Sequence, residues 1–101
     1  MQQLIEQLKK FRDDRDWKKF HSGSELSKKL MIESAEVAEL FEWGKEPDKN
    51  KLHEEIGDVL IMTLYLCEKY DIDPVISVLN KIQKNNIKYP VDYKNPGWKG
   101  E

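Results

Sequence analysis

The stretch Leu26-Ser-Lys-Lys-Leu-Met-Ile-Glu33-Ser-Ala-Glu36-Val-Ala-Glu-Leu40 repeats its apolar residues at helical spacing, with Leu26, Leu30, Val37 and Leu40 on one stripe. Glu33 falls in the middle of that stripe, where a core residue belongs. A second stretch, Leu52-His-Glu-Glu55-Ile-Gly-Asp58-Val-Leu-Ile-Met62, does the same: Glu55 lies among Leu52, Val59, Met62 and Leu66. In each stretch a second acid follows at i+3, so the pairs Glu33/Glu36 and Glu55/Asp58 each share one side of a helix about a turn apart.

A carboxylate on an apolar stripe costs several kcal/mol unless a cation, a hydrogen-bond network or a proton compensates it. No arginine or histidine shares either stripe within a turn, although Lys29 and Lys51 stand one turn before Glu33 and Glu55. A divalent metal accounts for four such acids most simply. Hard cations prefer oxygen ligands, and Mg²⁺ is usually held by a few carboxylates together with substrate phosphates, so the acid set points to a phosphorylated substrate. A single Glu-x-x-Glu on a helix is ordinarily a solvated face, and Glu39, Glu42 and Glu54 fit that description. A di-iron carboxylate bundle needs Glu-x-x-His on each of two helices, which this sequence lacks. A non-catalytic helical oligomerisation module is the competing class. Its acids would merely repel, and Mg²⁺ would leave its melting temperature unchanged.

At 101 residues the chain is one small domain, and with 36% charged and 39% hydrophobic residues its core is modest, so self-association is expected. A net charge of −2 with both signs interspersed provides no basic field for nucleic acid. The lone Cys67 cannot form an intramolecular disulfide, which fits a reducing cytoplasm. Neither a signal-peptide region nor a membrane-length apolar run is visible, so a soluble protein with no membrane partner is expected.

Leu4, Ile5, Leu8 and Phe11 predict an amphipathic first helix over about Gln2 to Asp16. Ser22 and Glu25 form a capping-box pattern that opens a second helix, predicted from about Gly23 to Trp43, with Met31, Ala35 and Ala38 as a second apolar stripe. Gly44 and Pro47 interrupt the pattern, and a third helix follows from near Lys49 to about Tyr70, with Leu60, Leu64 and Cys67 on its second apolar side. Counted from the loop, Glu36 and Glu55 stand at similar heights, so an antiparallel hairpin brings the acid pairs together.

Asp73 as N-cap and Pro74 at the first helical position open a fourth helix running to about Lys88, with Val75, Val78 and Ile82 as its inner face. Lys81, Asn85 and Lys88 make a polar stripe beside that face, able to meet phosphate oxygens and a sugar or base edge. Val91 to Glu101 has no periodicity and reads as a tail outside a domain spanning residues 1–90; its Trp98 either packs on a neighbouring subunit or dangles. Trp17 lies outside a helix and Trp43 at a helix end, where stacking on a base and core packing are comparably plausible roles. The expected architecture is all-α, a four-helix antiparallel bundle.

Four segments, Arg15-Asp-Trp17-Lys-Lys-Phe20-His21, Glu33-Ser-Ala-Glu36-Val-Ala-Glu-Leu-Phe-Glu-Trp43, Glu54-Glu55-Ile-Gly-Asp58-Val-Leu-Ile and Lys81-Ile-Gln-Lys-Asn85-Asn-Ile-Lys88-Tyr89-Pro90, together resemble the MazG-like all-α nucleoside triphosphate pyrophosphohydrolases, in particular the dCTP pyrophosphatase branch. The resemblance implies that Glu33, Glu36, Glu55 and Asp58 bind Mg²⁺, with Mn²⁺ a possible substitute. It implies a nucleoside triphosphate substrate, dCTP or a related pyrimidine deoxynucleotide, cleaved to monophosphate and pyrophosphate for nucleotide-pool sanitation. It also implies that Trp17, His21 and Trp43 line the base pocket, that Lys81, Asn85, Lys88 and Tyr89 meet phosphates and sugar, and that homodimers or homotetramers build the site between subunits. Either Glu36 or Glu39 would accept the proton of the attacking water.

Overall fold

Ser22 starts the central hairpin: its hydroxyl oxygen accepts from the Glu25 backbone N–H at 3.0 Å, satisfying one of the donors left free at a helix start. The Glu25 carboxylate does not return the bond. It pairs instead with Lys28 at 3.5 Å, so only half of the capping box forms. In the computed structural model, which describes residues 1–92, the helices are α1 (Gln2–Asp14), α2 (Gly23–Glu39), α3 (Lys49–Lys69) and α4 (Pro74–Lys88), and no strand occurs among the described residues. The expectations for the tail beyond Asp92, Trp98 among them, lie outside the described residues.

Helix α2 is shorter than the sequence pattern predicts. It ends at Glu39, and the chain continues through Leu40 and Phe41 into a single 3₁₀ turn, Glu42–Gly44. Within that turn Trp43 (φ 62°) and Gly44 (φ 70°) both adopt left-handed backbone, which no helix can propagate. Helix α3 then begins behind Asp48, whose carboxylate accepts from Lys51 N–H at 3.3 Å, and α4 begins behind Asp73, whose Oδ1 accepts from Val75 N–H at 2.9 Å and Ile76 N–H at 3.3 Å. α1 likewise stops at Asp14 rather than Asp16, because Asp16 takes φ 56° and a 3₁₀ turn, Lys18–Phe20, follows.

The main packing is α2 along α3, with α1 laid more lightly on α3. Leu26, Leu64 and Tyr65 are the buried core of this three-helix unit, and Arg12 is the one buried charge among the described residues. Tyr65 hydroxyl donates to the Leu8 carbonyl at 2.8 Å and Arg12 Nη1 donates to Glu68 at 3.0 Å; these bonds fasten α1 to α3. Helix α4 makes only slight contact with the other three. Its expected inner face is therefore uncovered within one chain: Val75, Val78 and Ile82 are all exposed, as are Met31, Ala35 and Ala38 on the second stripe of α2 and Leu60 on that of α3.

Candidate metal centre and substrate site

Glu33 and Glu36 on α2 and Glu55 and Asp58 on α3 each offer an oxygen within 4.8 Å of the others. The i, i+3 spacing places each pair on one side of its helix, and the close packing of α2 on α3 joins the pairs. Glu33, Glu36 and Glu55 are half-buried and Asp58 is exposed, so the cluster has a closed side and an open side. One oxygen on each helix, Glu33 Oε2 and Glu55 Oε2, is out of solvent with no hydrogen-bond partner. Burial raises both acids above the usual carboxylate range, and hydrogen bonding with Glu36, then like-charge repulsion from Glu36 and Asp58, add to this.

Such a site needs positive charge. An all-oxygen donor set of four carboxylates, two of them with buried and unsatisfied oxygens, fits a hard divalent cation, and the cluster can bind a metal. Neither Lys29 nor Lys51 pairs with these acids; both are exposed. Glu39, Glu42 and Glu54 are exposed as the sequence suggests, and Glu39 lies one turn beyond Glu36, outside the cluster.

The remaining candidate residues are dispersed within one chain. Trp17, 43% exposed, meets Phe11 edge-on at a centroid distance of 5.7 Å, with the Arg15 guanidinium close to both rings. His21 is half-buried with its ring 4.8 Å from that of Tyr65, and burial, then the nearby Arg12 charge, lowers its pKa. Trp43 is 93% exposed, with no ring contact among the described residues. Lys81, Asn85 and Lys88 ride on α4, and no side-chain hydrogen bond or ion pair joins them to the four acids among the described residues; Lys88 Nζ lies 5.3 Å from the ring centre of Tyr89.

Three residues escape the sequence reading: Arg12, Tyr65 and Glu68, which enclose His21 in a cavity. A signal was there. Arg12 follows Ile5 by seven positions and Leu8 by four, so it sits on the apolar stripe of α1 as Glu33 sits on that of α2.

An all-helical fold that gathers two Glu/Asp pairs on one hairpin defines a small carboxylate-cluster protein of the α class. The chain belongs to the MazG-like family, whose model matches residues 18–97. It is 35% identical over 91 residues to dCTP pyrophosphatase 1 of Mus musculus, a match covering 80% of this chain and 54% of that one. To dCTP pyrophosphatase 1 of Homo sapiens it is 36% identical over 90 residues, covering 79% and 53%. The chain thus spans about half the length of these mammalian relatives. A solved structure, a pyrophosphatase from Archaeoglobus fulgidus, superposes with a TM-score of 0.83 at 39% identity, covering 89% of this chain and 92% of that one.

Proposed function

We propose that the chain is a nucleoside triphosphate diphosphatase that cleaves a (deoxy)nucleoside triphosphate, dCTP or a related pyrimidine deoxynucleotide, into the monophosphate and pyrophosphate. The observation that carries this is the convergence of Glu33, Glu36, Glu55 and Asp58 with two buried, unpartnered oxygens. The names of its relatives and of the archaeal structure support the reaction and the substrate. The cation is Mg²⁺, with Mn²⁺ able to replace it, since both take oxygen donors. Bound there, it supplies Lewis-acid neutralisation of phosphate charge.

The protein's own groups do the rest. Glu36 or Glu39 accepts the proton of the water that attacks the α-phosphorus, while Lys81 and Lys88 hold the departing pyrophosphate. Asn85 and Tyr89 meet the sugar and phosphates. Trp17 and His21 contact the base, and a second copy of the chain brings Trp43 to it, since Trp43 stands at the turn end of its own hairpin, exposed among the described residues.

This assignment requires a second copy of the chain. The slight contact of α4 with its own hairpin leaves Lys81, Asn85 and Lys88 unconnected to the acids, and the exposed Val78, Leu79 and Ile82 offer an apolar face for another subunit. The apolar residues left exposed on α4, together with Met31 on α2 and Leu60 on α3, support a homodimer or homotetramer with shared sites. Sedimentation showing a 12.0 kDa monomer in solution would count against it. Among the described residues no helix is long and apolar enough to cross a membrane, and a single unpaired Cys67 suits a cytoplasmic setting.

The test is a panel of ribo- and deoxynucleoside triphosphates with Mg²⁺, followed by pyrophosphate release. Release from dCTP is expected; release of orthophosphate, or of nothing from any nucleotide, overturns the reading.

A further inference from the structure

A cavity of about 300 Å³ lies at the end of the hairpin away from its connecting turn, walled by Arg12, His21, Leu26, Tyr65 and Glu68. Exposed Lys18, Lys69 and Asp71 on its lining leave it open to solvent. Leu26 precedes Glu33 by seven residues and Tyr65 follows Asp58 by seven. Seven residues are two turns on the same helix face, so the cavity stands about 10 Å along the hairpin from the acids, on the order of the distance from the α-phosphorus of a nucleotide to its base.

The polar groups in this cavity are fixed before any ligand arrives. Arg12, with 3% of its side chain exposed, donates through Nη1 to Glu68 at 3.0 Å and through Nε to Asp13 at 2.8 Å. Glu68 Oε2 is occupied by that bond, yet a carboxylate has about four acceptor positions, and the Glu68 side chain is still 21% exposed. Tyr65 spends its hydroxyl hydrogen on Leu8, so its ring is wall rather than reader. His21 differs: Nδ1 is removed from solvent with no hydrogen-bond partner. Burial and then Arg12 lower its pKa, which favours the neutral ring with one donor and one acceptor nitrogen.

We propose that this cavity takes the base of the nucleotide and that Glu68, held in place by Arg12, selects bases with an amino group where thymine and uracil have a carbonyl oxygen. The proposal rests on the pyrophosphohydrolase reading and assigns to it two residues that the sequence motifs leave out. A carboxylate accepts a hydrogen bond from the amino group of cytosine or adenine. It repels the carbonyl oxygen that thymine or uracil presents at the same place, so selection has both an attractive and a repulsive part.

The experiment compares kcat/KM for pyrophosphate release from dCTP, dATP and dTTP in the wild type, in Glu68→Gln, and in Arg12→Met combined with Glu68→Leu. The double variant replaces the part-buried pair with apolar groups of similar size, a change that folded proteins commonly accept. Glutamine can donate as well as accept, and leucine does neither. The wild type should prefer an amino-bearing base over dTTP, and both variants should lose that preference by roughly tenfold to a hundredfold. A preference that survives in a folded variant, or a wild type that favours dTTP, overturns the proposal while pyrophosphate release leaves the enzymatic reading standing. A crystal structure of the wild type with a non-hydrolysable dCTP analogue decides the same point without any variant: the base in this cavity supports the proposal, and the base elsewhere overturns it. Absence of pyrophosphate release from every nucleotide removes the reading beneath it.

Discussion

Glu33 on α2 and Glu55 on α3 contribute to one carboxylate cluster, and each buries Oε2 without a partner. Folding therefore brings negative charge together in a place that water compensates poorly. That cost is what a bound cation would remove.

Both acids have raised pKa values, so the metal-free folded chain holds their protons more tightly than the unfolded chain does. Stability from this source is fully present below the ordinary value of 4.5 and is lost as pH rises through the raised values. Mg²⁺ at neutral pH should restore it. At a hundred times its Kd the ion adds about 2.7 kcal/mol, a rise in Tm on the order of 10 °C for a domain this small. Glu33→Gln and Glu55→Gln should flatten the loss with pH and lose the response to Mg²⁺, measured by thermal melts with and without the ion. An unchanged Tm in the wild type would favour the non-catalytic oligomerisation module.

Glu36→Gln and Glu39→Gln separate the two candidates for the proton acceptor. Loss of the acceptor lowers kcat by about a hundredfold or more. Glu36 is in the cluster, so its replacement should also weaken stabilisation by Mg²⁺; Glu39 is outside it, so its replacement should not. A hundredfold drop in Glu39→Gln with the Mg²⁺ response intact identifies Glu39. Full activity in that variant excludes Glu39 and leaves Glu36 as the acceptor.

Trp43 holds φ 62° and is 93% exposed, a conformation costing a residue other than glycine about 1 kcal/mol with little packing among the described residues to offset it. Trp43→Gly should be at least as stable as the wild type in urea titrations and up to about 1 kcal/mol more so. Its KM should rise roughly tenfold, as expected for a lost stacking ring. An unchanged KM would remove Trp43 from the base site.

His21 has a lowered pKa, caused first by burial and then by Arg12. The folded chain thus binds this proton less readily than the unfolded chain. Its contribution to stability is present above the ordinary value of 6.5 and lost as pH falls below it. His21→Gln should reduce the stability difference between pH 7.5 and pH 5 in chemical denaturation; an unaltered difference would place the acid sensitivity elsewhere.

The helices and the acid cluster were legible in the sequence because both rest on local periodicity. Glu33 and Glu55 declared themselves by interrupting apolar stripes, and Asp73-Pro74 marked the start of α4 correctly. The early end of α2 was not legible. Leu40 and Phe41 continue the apolar pattern, and only the left-handed backbone of Trp43 and Gly44 stops it. The apolar face of α4 was legible but its exposure within one chain was not, since periodicity reports that a face needs burial and not which chain supplies it. Arg12 carries the same signal as Glu33, a charge on an apolar stripe, whereas Glu68 looks like an ordinary surface charge until its pairing with Arg12, fifty-six residues away, closes at 3.0 Å.

The central claim is that Glu33, Glu36, Glu55 and Asp58 together hold a divalent cation. Crystals grown with Mn²⁺ and measured for anomalous scattering test it directly. An anomalous peak within coordination distance of carboxylate oxygens from both α2 and α3 is the expected result. Acids turned to solvent around a site with no peak, in crystals soaked at millimolar Mn²⁺, would contradict it.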